Sequence, residues 1–535
     1  MANVESIRND GLIRDNGQPC YMETHQAVLL IAGCTLMALT ETMTGTAMPF
    51  VRLGLPGDVA ATADEFSLLD QGYTAAKLVG FIAAPWLLSG LPILRGLKAF
   101  ALVMIAACGL MPYFIDVNIL TGLRIIQGLS GGILLIGAQS LLFISFTREK
   151  QAVIQGVYAL GSVVAPVAFA PMMQGWLVEM RSWSWVFFLA LAFAALSIAM
   201  LSFVTRPEER INRLERPDLA GFTLFTGAAV CIVYLSQRGS RWNGFDSFHI
   251  MVIALAAVLF IAGFILSQAT RQDKKPLVPF AVFNSNDFTF AFCISFVAGC
   301  VLSSSTSTIL NFGLGTLGMT AASMGRLLLS SGIFAAVSLL LMAFLIHRRI
   351  VPPIASVPFG IALIMSAMWL LSGSTNQAGP DSMWFPLALR GLGFGFLFLA
   401  MTVIAFPGLK GRALLQGVAL FALGRQIGGT AGSGFIQRYV DHQQALNKTV
   451  LAAHIGEDGE AVAQMLAATA DVFKAQGVEP LDAGRQALAL LKQTLDHEAA
   501  IISYNEAFLM LALVFVVCAP VLGIVKKALS KRNVK

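Results

Sequence analysis

A few carboxylates, Glu41 foremost, and five basic side chains fall inside otherwise apolar stretches, and these are the places where the sequence could do chemistry. Glu41 stands in LMALTETMTGTAMPF between Thr40, Thr42 and Thr44. A carboxyl taken out of water can load and release a proton as its surroundings change, which makes Glu41 a candidate proton carrier. The hydroxyls of Thr40 and Thr44 could bind a substrate, a water or the carboxyl itself. Alternatively, a protonated Glu41 is simply hydrogen-bonded to neighbouring helices.

The basic residues are Lys77, Arg124, Arg326, Arg390 and Arg425. Asp70 and Lys77 are two helical turns apart on one face; Asp70 reads as solvated near a span end. The deeper Lys77 could pair with a carboxylate on another span or bind substrate. Arg124 lies in LRIIQGLSGG, with Gln127 one turn on and Gly128, Gly131 and Gly132 leaving room for close helix approach. An Arg-then-glycine pattern recurs in LRGLGFGF around Arg390 and in GRQIGGTAGSG, which holds Arg425, Gln426, Gly428 and Gly429. The glycines alone read as helix packing, whereas an arginine buried beside them points to function. Thr40, Thr44, Lys77, Gln127, Arg390, Arg425 and Gln426 are therefore the candidates for lining a substrate cavity, and Gly128, Gly132, Gly428 and Gly429 for packing.

The elements that must position these groups are membrane helices. Of 535 residues, 56% are hydrophobic and 12% charged, against about 25% charged in a soluble protein. Apolar windows of about the length needed to cross a bilayer lie near 27–50, 66–90, 98–116, 118–146, 152–178, 184–204, 219–236, 248–268, 287–311, 323–346, 353–372, 383–406, 414–436 and 501–525. That is fourteen, so both termini share a side. With the N-terminus inside, 22 of the 36 Lys and Arg fall in cytoplasmic segments and nine outside, as the positive-inside rule requires. A charge near the bilayer centre costs roughly 2.5 to 3.5 kcal/mol, so the five left in spans mark a cavity or an ion partner.

The sequence divides into an N-terminal segment 1–25, a six-helix bundle 26–204, two linking helices 205–270, a second six-helix bundle 271–525 and a basic tail 526–535. The second bundle contains the one sizeable extramembrane piece, 437–500. Val462, Met465, Leu466, Val472 and Phe473 recur there at helical spacing with Thr469 on the same face. The pattern breaks at Gly477 to Pro480 and resumes at Leu488, Leu491 and Leu495, which predicts a helical hairpin. It could cap the bundle or dock a partner. The start, MANVESIRNDGLIRDNGQPC, has no apolar core or cleavage site, so the first apolar run is expected to serve as insertion signal.

Other classes find no support. The seven cysteines are scattered, with no metal-binding or disulfide spacing. HExxH and GxxxxGK[ST] patterns are absent, so neither a conventional enzyme nor a nucleotide-driven pump is indicated, and no cofactor is implied beyond an ion gradient. The net charge of +6 sits in short loops rather than along one stripe, which excludes a nucleic-acid partner.

Together these stretches resemble the fourteen-span drug:proton antiporters of the major facilitator superfamily, EmrB/QacA type, over essentially the whole chain. TETMTGTAMP resembles the acidic motif Asp-Ser/Thr-x-x-x-Asn-x-Ala-x-Pro, with Ala47 and Pro49 at its end. Counted back from Pro49, the acidic place falls on Thr40, one residue before Glu41, and Gly45 stands at the Asn. LRIIQGLSGG resembles Arg-x-x-Gln-Gly-x-x-x-Gly, and WSWVFF, RPDLAGF, PLVPFAVFNSNDFT, GMTAASMG and GRQIGG add to the likeness. The loop after span 2, LLSGLPILRGLKAF, lacks the Gly-x-x-x-Asp-Arg-x-Gly-Arg signature. The span 5 pattern Gly-Pro-x-x-x-Gly-Gly survives as Ala170-Pro171 and Gln174-Gly175, making Pro171 and Gly175 further packing positions.

The resemblance implies an all-α membrane protein of the bacterial inner membrane, with a major facilitator fold of two six-helix bundles plus two extra helices. It implies proton-coupled multidrug export by alternating access, with Arg124 assisting proton transfer to Glu41. The hairpin and IISYNEAF resemble the EmrB branch, which works with a periplasmic adaptor and an outer-membrane channel. A dedicated exporter of one metabolite, such as a siderophore or aromatic acid, and a membrane scaffold or sensor that has lost transport are the alternatives.

Overall fold

The apolar windows become helices because only a helix satisfies every backbone polar group inside its own segment where no water is available. The computed structural model describes residues 12–13, 19–20, 23–55, 59, 61–89, 91–205, 218–238, 247–270, 277–278, 280–406, 409, 411–457 and 459–532. The basic loop residues Arg8, Arg14, Arg206, Arg210, Arg213, Arg216, Arg241, Arg271, Lys274, Lys275 and Lys410 lie outside the described residues, as does the end of the tail.

The helices run α1 Thr24–Gly45, α2 Ala63–Leu87, α3 Ile93–Leu110, α4 Val117–Ser145, α5 Arg148–Ala159, α6 Phe169–Met180, α7 Ser184–Ser202, α8 Leu219–Arg238 and α9 Phe248–Thr270. They continue with α10 Asn286–Asn311, α11 Ala321–His347, α12 Ser356–Leu371, α13 Pro380–Ala405, α14 Gly411–Glu457, α15 Gly459–Ala475 and α16 Pro480–Arg532. Two-residue strands, β1 Leu12–Ile13 and β2 Pro19–Cys20, pair antiparallel and are the one departure from an all-helical chain among the described residues. Helix starts are fixed by side chains. Thr62 and Glu65 form a reciprocal capping box on α2, and Asp116 caps α4 at the amides of Asn118 and Ile119.

Among the described residues ten helices are long and apolar enough to cross a membrane, and a bent pair, Glu149–Val167 with Phe169–Met180, brings the number to eleven. The fourteen windows read from the sequence exceed this for identifiable reasons. Asp70 and Lys77 interrupt α2, while Gln416, Arg425 and Gln426 interrupt α14. The side chains in the last part of α16 lie outside the described set. The bend in the pair follows a π-helical turn, Leu160–Val164, and Thr42 Oγ1 on α1 donates to the Gly161 carbonyl there at 2.9 Å. The solvent around the outside must be apolar: α9 buries 11% of its apolar window and presents Leu255, Val258, Leu259 and Leu266 outward.

Helices α1 to α7 pack with one another, chiefly α2 and α3 on α4, and α1 on α4 and α7; α10 to α14 and α16 form a second set, chiefly α10 on α14 and α11 on α13. The sets meet where α5 and α6 lie along α11 and where α2 and α4 lie along α14. Helix α8 packs on α9 and bridges α2 and α14. The candidate packing residues sit at these close approaches. A Cβ at Gly128 would run into the Tyr73 backbone, one at Gly132 into the Lys77 carbonyl and Gly80, and one at Gly175 into the Ala321 carbonyl. At α10, a Cβ on Gly428 would strike the Phe296 carbonyl and one on Gly429 the Ser303 side chain. Buried Pro171 packs its carbonyl on Gly325.

The expected hairpin forms, but as continuations of spans: α14 and α16 run on from the bundle and α15 folds back onto α16 through a turn at Gly477, whose φ is +92°. Ala470, Ala483 and Ala487 make its small core with Leu466, Phe473 and Val478. Met465 and Val472, expected on that apolar face, are 53% and 57% exposed, because only the Leu466–Ala470–Phe473 stripe meets α16.

Gly132→Leu is expected to force α2 from α4 and lower thermal stability by an overpacking cost of at least about 1 to 3 kcal/mol. Gly122→Ala, with nothing within 4 Å of the new Cβ, leaves it unchanged. Thermal unfolding followed by size exclusion checks the contrast.

Candidate functional site

Glu41 is placed by a helix too polar to be a lipid-facing span: Thr40, Glu41, Thr42, Met43 and Thr44 form a run buried all round the α1 circumference. Its carboxylate meets α2. Lys77 Nζ lies 2.5 Å from Glu41 Oε1, and the Tyr73 hydroxyl, one turn before Lys77, donates to the same oxygen at 3.0 Å. The ammonium and carboxylate side chains are 14% and 5% exposed, so the pair is screened by little water.

Arg124 comes from α4 to the other side of Tyr73. Its guanidinium stacks 4.2 Å from the Tyr73 ring centroid, and Nη1 donates to the Thr44 carbonyl at 2.8 Å and to Gln127 Oε1 at 3.1 Å. Gln127 Nε2 in turn donates to the Ala107 carbonyl at 3.3 Å, fixing the fork from behind. The Thr44 hydroxyl lies 3.2 Å from that of Tyr73. Three helices thus converge on one phenol. Gly45 and Gly131 make the space, since a Cβ at either would crowd the Tyr73 hydroxyl and the Glu41 side chain.

The sequence-derived residues divide accordingly. Glu41, Lys77, Thr44, Arg124 and Gln127 are brought together. Thr40 is not: its hydroxyl donates to the Leu36 carbonyl of its own helix at 2.9 Å. Arg124 acts on Glu41 through Tyr73 and Thr44, and no direct bond joins the two among the described residues. Asp70 accepts from Gln237 of α8 at 3.1 Å, and Arg326 is exposed at the start of α11. Tyr73 went unread in the sequence. Its signal was the i, i+4 spacing to Lys77, which puts both on the α2 face toward α1.

In the second helix set Arg390 is fully buried on α13, donating from Nε to Ser305 Oγ at 3.1 Å and from Nη2 to Thr306 Oγ1. Arg425 and Gln426 are half-buried on α14, with the Arg425 guanidinium 5.0 Å from the Phe398 ring. Arg425 lies close enough to Glu41 to interact electrostatically with it, across the junction between the sets. Among the described residues no group of three or more His, Cys, Asp or Glu could hold a metal. Chemically the arrangement offers charge exchange at one buried carboxylate, with a cation from its own helix set and another from the opposite one.

The comparisons agree with this architecture. Residues 30–433 match the family model described as Major Facilitator Superfamily. The fatty acid resistance protein FarB of Neisseria gonorrhoeae is 26% identical over 480 residues, covering 89% of this chain and 86% of that one. The multidrug export protein EmrB of Escherichia coli K12 is 22% identical over 512 residues, covering 93% and 94%. A solved structure, the human organic anion transporter MFSD10, aligns with a TM-score of 0.53 at 12% identity over 92% of this chain and 98% of that one, a likeness of fold. The chain is thus a multi-pass membrane transporter rather than an enzyme, and it belongs to the major facilitator superfamily.

Proposed function

We propose that this protein exports small amphipathic organic molecules across the bacterial inner membrane in exchange for protons, by alternating access. The observation that carries the reading is Glu41, a buried carboxylate whose partners come from α2 and whose charge acts on Arg425 of the opposite helix set. While ionised, Glu41 holds Lys77 and attracts Arg425 across the junction. A proton on Glu41 removes both attractions at once, so the two sets are freer to tilt about the α6–α11 and α2–α14 contacts. Tyr73 and Arg124 keep the carboxyl in place and offer a proton path, the phenol bonding the carboxylate while the guanidinium lies on its ring.

The reading takes residues 26–204 and 271–525 as the rocking bundles and 205–270 as linking helices. Adding α2, α14 and α16 to the eleven spans of sufficient length and apolarity gives fourteen, so both termini share a side, and the excess of Lys and Arg in the segments on that side favours the cytoplasm. Export fits the names of the curated relatives, EmrB and FarB, and the α14–α16 hairpin supplies a surface for a periplasmic adaptor leading to an outer-membrane channel.

Two experiments test this. In everted vesicles carrying a proton gradient, Glu41→Gln is expected to reduce proton-linked transport by roughly a hundredfold or more with expression intact; wild-type transport by that variant removes Glu41 from the mechanism. Lys77→Gln leaves the buried carboxylate unpaired, a loss of about 3 to 5 kcal/mol, and the further change Glu41→Gln restores most of the thermal stability. Additive losses in the double variant would show that the pair carries no such energy.

A further inference from the structure

In the second helix set Arg390 is a buried positive charge with no acidic partner among the described residues. Between Asp287 and Asp441 the chain has one acidic residue, Asp381, at the first turn of α13. Arg390 stands nine residues beyond it, about 15 Å into a helix some 39 Å long by the α-helical rise. Its relative exposure is 0%.

The bonds Arg390 makes do not offset its charge. Ser305 Oγ and Thr306 Oγ1 accept from it, but both hydroxyls give their own hydrogens to the Leu302 carbonyl, at 3.1 and 2.8 Å, and so stay neutral. Among the described residues Nη1 has no hydrogen-bond partner. Among the described residues no carboxylate acts on this guanidinium. Arg124 also leaves Nε and Nη2 without a bond among the described residues, but it differs in having carboxylates near it, since it feels Asp70 and Glu41. Leaving a buried charge unpaired is costly, and a fork with one free arm is the geometry that takes a carboxylate in two parallel bonds.

The surroundings indicate what would carry that carboxylate. Arg390 lies 4.6 Å from the Phe394 ring, and Phe398, one turn further on the same face of α13, lies 5.0 Å from Arg425. Two phenyl rings thus run between a buried guanidinium and a half-buried one, with half-buried Ser303 and Thr306 beside them on α10.

We infer that Arg390, with Ser305 and Thr306, is the head-group site of the transported molecule, and that this molecule is an organic anion whose apolar body lies along Phe394 and Phe398 toward Arg425. The inference rests on the export reading for its biological sense, but binding alone can test it. A neutral body alone would leave Arg390 as it is, so selection falls on the acid.

The full-length protein in detergent is titrated with 4-phenylbutanoate and with 4-phenylbutanamide, which has the same body without the charge. The unaltered protein is expected to prefer the acid. Arg390→Gln should reduce the acid-to-amide affinity ratio by at least about tenfold. The milder Ser305→Ala/Thr306→Val change, which frees the fork to turn, should lower it less, and Arg390→Lys should restore part of it. Each variant is first shown to elute as a single species. Equal affinity for acid and amide in the unaltered protein, no binding of either, or an unchanged ratio in Arg390→Gln overturns the assignment. If proton-driven flux is absent while the ratio still depends on Arg390, the export reading fails and the anion site stands.

Discussion

Moving a carboxylate from water into a helix bundle is tolerated only when another charge or a set of donors goes with it. At Glu41 both do. Lys77 supplies the charge and Tyr73 the donor, and both come from one face of α2, so α1 and α2 are held in a single register by an interaction that exists only while the carboxyl is ionised. Everything around it is arranged to keep it dry: Gly131 of α4 leaves room for the Glu41 side chain, and Gly128 and Gly132 bring α4 onto the α2 backbone. The core glycines and the core ion pair are two sides of one constraint. Close backbone contact removes the water that would weaken the pair.

The two helix sets treat charge in opposite ways. In the first, a carboxylate, an ammonium, a phenol and a guanidinium are gathered within one shell. In the second, Arg390 is met among the described residues by hydroxyls and a ring. Arg425 stands between them, near Glu41 and near the Phe398 ring, where the state of one site can be felt at the other.

Apolar window length marked most helices before any coordinates. Helix α1, read as 27–50, is Thr24–Gly45 with a short continuation to Val51, and α7 and α13 begin within three residues of their windows. Glu41, Lys77 and Arg124 stood out because a charge in an apolar run has no cheap explanation. Tyr73 did not, since a tyrosine is unremarked in such a run until its hydroxyl is seen to touch three groups. The orientation of Thr40 was not legible for a related reason: a threonine inside a helix can turn to its own i−4 carbonyl, and sequence gives no sign of which way it turns. Partner choice across helices, such as Lys77 rather than Arg124 for Glu41, depends on rotation about each axis and was not legible from spacing within one helix.

The central claim is that Glu41 changes protonation state inside the folded bundle. Isotope-edited infrared difference spectra of the reconstituted protein, taken between high and low pH with glutamate labelled at its carboxyl carbon, read that change directly. The account requires a carbonyl stretch of a protonated, weakly hydrated carboxylic acid to appear on acidification and to be missing in Glu41→Gln. If the same band persists in that variant, or if the unaltered protein never shows it, the proton does not load at Glu41.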